Sequence, residues 1–155
     1  MAADLLDTIR DQLACFAVGL VERVKGAGSK VIGSGVLVSI EGRRGILTCG
    51  HVVEKYDKRA EIGIVRFIPG TQQRRIVDIT DAFHVIVHNI DQWTARSDKW
   101  KENGLDLAFT YLNPEVADSI ASQSVFLNVE KNRERIEGGE PTIGHSVDVV
   151  LGLVA

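Results

Sequence analysis

Two apolar, β-branched runs joined by a charged glycine turn constrain this chain more than any other feature in it. Val36-Leu-Val-Ser-Ile40 leads into Glu41-Gly-Arg-Arg-Gly45, and Ile46-Leu-Thr-Cys49 returns, which predicts an antiparallel hairpin. The Gly33-Ser-Gly35 segment just before it reads as a turn. Further β-type runs lie at 15–24, 62–68, 75–79, 83–87 and 105–112. Short strands at that spacing, separated by glycine-bearing turns, predict an all-β, mainly antiparallel fold, either a sandwich or a small barrel. Leu5, Leu6, Ile9 and Leu13 recur at helical spacing and predict a short helix near the start, over residues 3–13. Asn113-Pro114-Glu115 predicts a second, with proline placed just inside it and the helix running to Ser122.

Charge and cysteine usage narrow the classes of function. The 155 residues carry 18 basic and 21 acidic side chains, a formal net charge of −3, so no basic face for nucleic acid is expected. Arg43-Arg44 and Arg74-Arg75 are flanked by apolar runs and read as solvated turns. No run of 18 apolar residues occurs, so no membrane span is expected. The acidic opening, Met-Ala-Ala-Asp-Leu-Leu-Asp, is unlike the basic start of a secretory signal. Cys15 and Cys49 are too few for a disulfide framework and read as buried free thiols in a reducing compartment, with the cytoplasm as the expected location.

Two residues stand out for chemistry. Gly45-Ile-Leu-Thr-Cys-Gly-His-Val-Val53 delivers His51 at the end of an apolar strand, a rigid platform from which an imidazole can be aimed into a cleft. Asp106 interrupts the apolar run Gly104-Leu-Asp-Leu-Ala-Phe-Thr-Tyr-Leu112, where a carboxylate is costly unless a hydrogen bond or charge meets it. Other constellations carry less. His84 and His88 stand four apart on a predicted strand, a separation of roughly 13 Å that cannot share one zinc ion. Trp93 and Trp100 sit in a polar loop at 89–104 and either line a cleft or anchor the loop. Lys131-Asn-Arg-Glu-Arg135 mixes its signs and reads as solvated.

Taken in order, Gly33-Ser-Gly-Val-Leu-Val, Gly45-Ile-Leu-Thr-Cys-Gly-His-Val-Val53 and Asp106-Leu-Ala-Phe-Thr-Tyr-Leu112 resemble the trypsin-like (chymotrypsin-fold) serine peptidases, the bacterial type above all. The resemblance covers about residues 15–112. With the N-terminal helix occupying 1–13, it implies a six-stranded β-barrel with short helices over 14–122. Residues 123–155 would then be a linker and the start of a second barrel. It also implies that His51 serves as general base and Asp106 holds its tautomer, acting on a polypeptide substrate with no cofactor and no metal. The family's nucleophile lies in Gly-x-Ser-Gly, which these 155 residues lack. Ser146, in Gly144-His-Ser-Val-Asp148, misses the following glycine, and Ser34 reads as a small turn residue. The expectation is therefore a serine endopeptidase represented by a portion without its nucleophile and inactive alone. The alternative is a catalytically inactive trypsin-like module that binds proteins. The apolar run 147–155 is expected to be covered by the missing second barrel or by a protein partner.

Overall fold

The structure, a computed structural model, describes residues 7–8, 11–24, 28–66, 74–88 and 106–131. It is mainly antiparallel β, a curled sheet with a few short helices. The strands are β1 (Ala17–Val24), β2 (Gly28–Ile40), β3 (Arg43–Thr48), β4 (Glu61–Arg66), β5 (Arg74–Asp78), β6 (Phe83–His88), β7 (Asp106–Tyr111) and the two-residue β8 (Leu127–Asn128). Helix α1 (Gly50–Val53) is a single turn, and α2 (Pro114–Ala121) has two. Residues 7–8 and 11–14 are helical, as the apolar spacing near the start predicts, and the rest of that segment lies outside the described residues.

The hairpin forms where the glycine turn predicts it, but tighter. Only Glu41 and Gly42 make the turn, with φ of 49° and 75°, and Ile40 pairs with Arg43. Two successive positive φ values match the right-handed twist of the flanking strands, and glycine makes the second of them free of strain. The expected turn at Gly33-Ser-Gly35 is a correction: all three residues lie inside β2, which runs unbroken for 13 residues and pairs with β1 on one side. Glycine at position 33 answers close packing instead of chain reversal. A Cβ there would sit 2.6 Å from Val52 Cγ1, so α1 can lie directly on β2. A register shift at Leu20/Val21 leaves Ile32 as the extra residue of a bulge opposite, which strengthens the local coil.

Along the sheet the order is β5-β4-β1-β2-β3-β7-β6, all neighbours antiparallel. Its two outermost strands, β5 and β6, are consecutive in the chain and joined by only the four residues 79–82. The joint is a tight turn in which the Thr80 N–H donates to Asp78 Oδ1 at 2.8 Å. A sheet whose first and last strands are tethered that closely must curl until they approach. β8 adds in parallel to β2 at Val38 and Ser39, on the edge left open beyond Val36, where the pairing with Ala17 of β1 ends.

The curl encloses one core. Leu20, Ile32, Leu37, Ile46, Val53, Tyr56, Ile62, Ile64 and Val77 meet in it, each less than about a tenth exposed. Period-2 alternation puts Ile62 and Ile64 of β4 inward, and Ala108 and Thr110 of β7 likewise. Helix α2 starts as its sequence predicts: Asn113 Oδ1 accepts the Glu115 N–H at 3.0 Å, with Pro114 just inside. It is tied to the sheet by Arg44 on Asp118 and by Arg75, which donates to the Ser119 carbonyl at 2.6 Å. No described helix is long and apolar enough to cross a membrane.

Candidate active site

Strand β3 ends at Thr48, whose hydroxyl donates to the Ser34 carbonyl of β2 at 2.6 Å. Cys49 remains extended (φ −88°, ψ 149°), and the chain then winds into α1. His51 therefore sits on a helical turn and not on the strand itself, a correction to the expectation from the apolar run. Val52 and Val53 bury, which holds the turn down and leaves His51 facing outward. Fixing a side chain on a turn anchored by two buried neighbours restricts it as firmly as a strand end would.

Strand β7 begins at Asp106, which pairs with His88 across β6. Its carboxylate reaches back to α1 although 55 residues separate the two positions. Oδ2 contacts His51 Nδ1, and Oδ1 accepts the His51 backbone N–H at 3.2 Å. One carboxylate thus holds both the ring and the peptide that carries it. The side chains are 52% exposed for His51 and 24% for Asp106, so the pair lies at the surface with the carboxylate the more sheltered. With Nδ1 engaged, Nε2 is the ring nitrogen left for an incoming group. A hydrogen bond of this kind fixes which nitrogen carries the proton.

A second link joins the same two segments deeper down. Tyr56, fully buried, closes the turn after α1, and its hydroxyl meets Thr110 Oγ1 of β7 at 2.7 Å. His84 Nδ1 lies 3.0 Å from the same oxygen, and the Tyr56 and His84 rings meet edge to face with centroids 5.6 Å apart. The three groups form a relay when Tyr56 donates to Thr110 and Thr110 donates to an unprotonated His84 Nδ1, one of the orders their donors and acceptors allow. Burial pushes the Tyr56 phenol up to about 12, so it stays protonated as this scheme requires. Burial also lowers the His84 imidazole below its usual range, with the Asp57 charge partly opposing. None of Tyr56, Thr110 or a buried role for His84 was marked by sequence motif. The only cue was alternation, which places Thr110 on the inward side of its strand.

The depressed imidazole has a consequence for folding. A histidine whose folded value lies below its unfolded value of about 6.5 binds fewer protons folded than unfolded. Stability is complete above that value and falls as the pH drops through it. Unfolding midpoints measured from about pH 7.5 to 5 are expected to decline, and the slope is expected to flatten in His84→Gln. An unchanged slope in that variant would mean that His84 does not titrate with folding.

Cys49 departs from the expected buried thiol: it is exposed, as is Cys15, because the chain leaves the sheet after Thr48. The shelter it has, and then the Asp106 charge, push its thiol up, so at neutral pH it is protonated and a poor nucleophile. Its sulfur, a His51 ring nitrogen and an Asp106 oxygen nevertheless lie within 4.8 Å of one another. His84 and His88 do fall on one strand, β6. Trp93, Trp100, Ser146 and the run 147–155 lie outside the described residues. No protein family, curated protein or solved structure matches this chain.

Proposed function

We propose that the chain carries the histidine–aspartate half of a trypsin-like serine endopeptidase. His51 takes the proton of a serine hydroxyl through Nε2 and later returns it to the leaving amine. Asp106 keeps the Nδ1 proton in place and stabilises the imidazolium formed between the two steps. The observation that carries the reading is the double grip of one carboxylate on His51, through ring and backbone N–H together. An ordinary surface ion pair needs only the ring and contributes little to stability. Supporting it is the sheet: with β5 and β6 counted as one strand bent at 79–82 and β8 set aside, six antiparallel strands follow one another around the curl, as a barrel of the proposed kind would need.

A second reading is a barrel of the same kind that only binds other proteins, with the same His51–Asp106 pair but no serine for it to activate. A fluorophosphonate, which reacts with an activated serine, separates the two. The 155-residue chain is expected to remain unlabelled. Joined to the polypeptide that follows it in its natural reading frame, it is expected to label, and His51→Ala is expected to abolish the labelling. Labelling that survives His51→Ala, or its absence from the extended polypeptide, would overturn the peptidase reading.

A further inference from the structure

We infer that Cys49, His51 and Asp106 together form a binding site for a single thiophilic divalent cation, Zn2+ being the best fit. The three donors are a sulfur, an imidazole nitrogen and a carboxylate oxygen, mutually within 4.8 Å. Zinc takes four ligands in a tetrahedron at about 2.3 Å for sulfur and about 2.0–2.2 Å for nitrogen and oxygen, which sets donor separations of roughly 3.2–3.8 Å. The widest separation must close by about 1 Å, while His51 Nδ1 and Asp106 Oδ2, now in direct hydrogen-bond contact, must open to admit the ion between them. Cys49 is exposed on extended backbone and His51 is half exposed, so either can turn without disturbing the core.

Two of the donors are supplied by one short Cys-x-His segment and the third by β7, so the site is preassembled by the fold and not gathered from loose chain. Its charge balance points the same way. A dication at the centre answers both negative groups, and the thiol gives up its proton to solvent as the sulfur–metal bond forms. Three protein donors leave the fourth position to water. If the metal takes Nδ1, the ring proton moves to Nε2. If it takes Nε2, the lone pair a base would use is occupied. Either way the imidazole no longer accepts a proton, so occupancy silences the pair. That last consequence rests on the proposed peptidase reading, whereas the binding itself does not.

Titration of the intact 155-residue chain with Co2+, whose bond to thiolate absorbs in the near ultraviolet, tests the binding without any appeal to peptidase activity. A thiolate–cobalt band saturating at one equivalent and erased by Zn2+ is expected. Cys15→Ser should keep the band and Cys49→Ser should lose it. His51→Ala and Asp106→Asn should each weaken the affinity by about tenfold or more. All four positions are at or near the surface, and matching circular dichroism would show that the variants remain folded. The proposal is overturned if no thiolate band appears, if the band survives Cys49→Ser, or if both His51→Ala and Asp106→Asn weaken binding less than that.

Discussion

On the proposed peptidase reading, with a serine completing the pair, Asp106→Asn is expected to lower kcat about 10⁴-fold, with little change in KM. The size follows from the way the carboxylate is held. Oδ1 accepts the His51 backbone N–H at 3.2 Å, and a backbone donor cannot be turned around. In the asparagine variant the amide oxygen must stay at that position, which forces the NH2 group toward Nδ1. An NH2 donor requires Nδ1 to be unprotonated, so the ring proton shifts to Nε2, the atom needed to accept the proton of serine. The variant keeps its shape and loses its base. Two measurements distinguish this from general damage. The low-field proton resonance of a hydrogen-bonded Nδ1–H should disappear, and the circular dichroism and unfolding midpoint should hardly move. A raised KM at unchanged kcat would show that Asp106 serves binding alone.

Tyr56→Ala is expected to cost about 3–5 kcal/mol of stability, a large fraction of the 5–15 kcal/mol that holds a typical domain together. Its ring is fully buried in the apolar core, and truncation leaves a cavity and takes from Thr110 one of its two hydrogen-bond partners. Tyr56→Phe keeps the volume and removes only the hydroxyl, for an expected loss of about 1–2 kcal/mol. Denaturant unfolding monitored by tryptophan fluorescence and circular dichroism gives both values. Equal losses for the two substitutions would mean that the hydrogen bond, and not the packing, carries the effect.

Much of the architecture was legible because it depends on local pattern. The hairpin at Glu41-Gly42, the strands around 62–66, 74–78, 83–88 and 106–111, and the capped helix after Asn113 each carry their signal within a few residues. The errors came where long-range packing decides. Gly33-Ser-Gly35 looks like a turn in sequence, but its first glycine is there because Val52 lies against it. Cys49 looks like the buried end of an apolar strand, but the strand stops one residue earlier. The meeting of His51 and Asp106 is a property of the whole sheet, and the sequence suggested it only through the order of its motifs. Tyr56 and Thr110 showed no such signal, since a tyrosine in a polar turn and a threonine in an apolar strand are ordinary residues until the fold brings them together.

The insertion of β7 between β3 and β6 bears on the order in which the molecule is made. Its contacts with β3 span about sixty residues, among the most distant pairings in the sheet, and such closures are slow because chain entropy is surrendered before any contact repays it. Asp106 is the first residue of that strand. A partly folded chain, or one still emerging from the ribosome, has His51 without its acidic partner until β7 is in place. The His51–Asp106 pair, with whatever chemistry it supports, is thus a product of the assembled sheet and not of either segment alone.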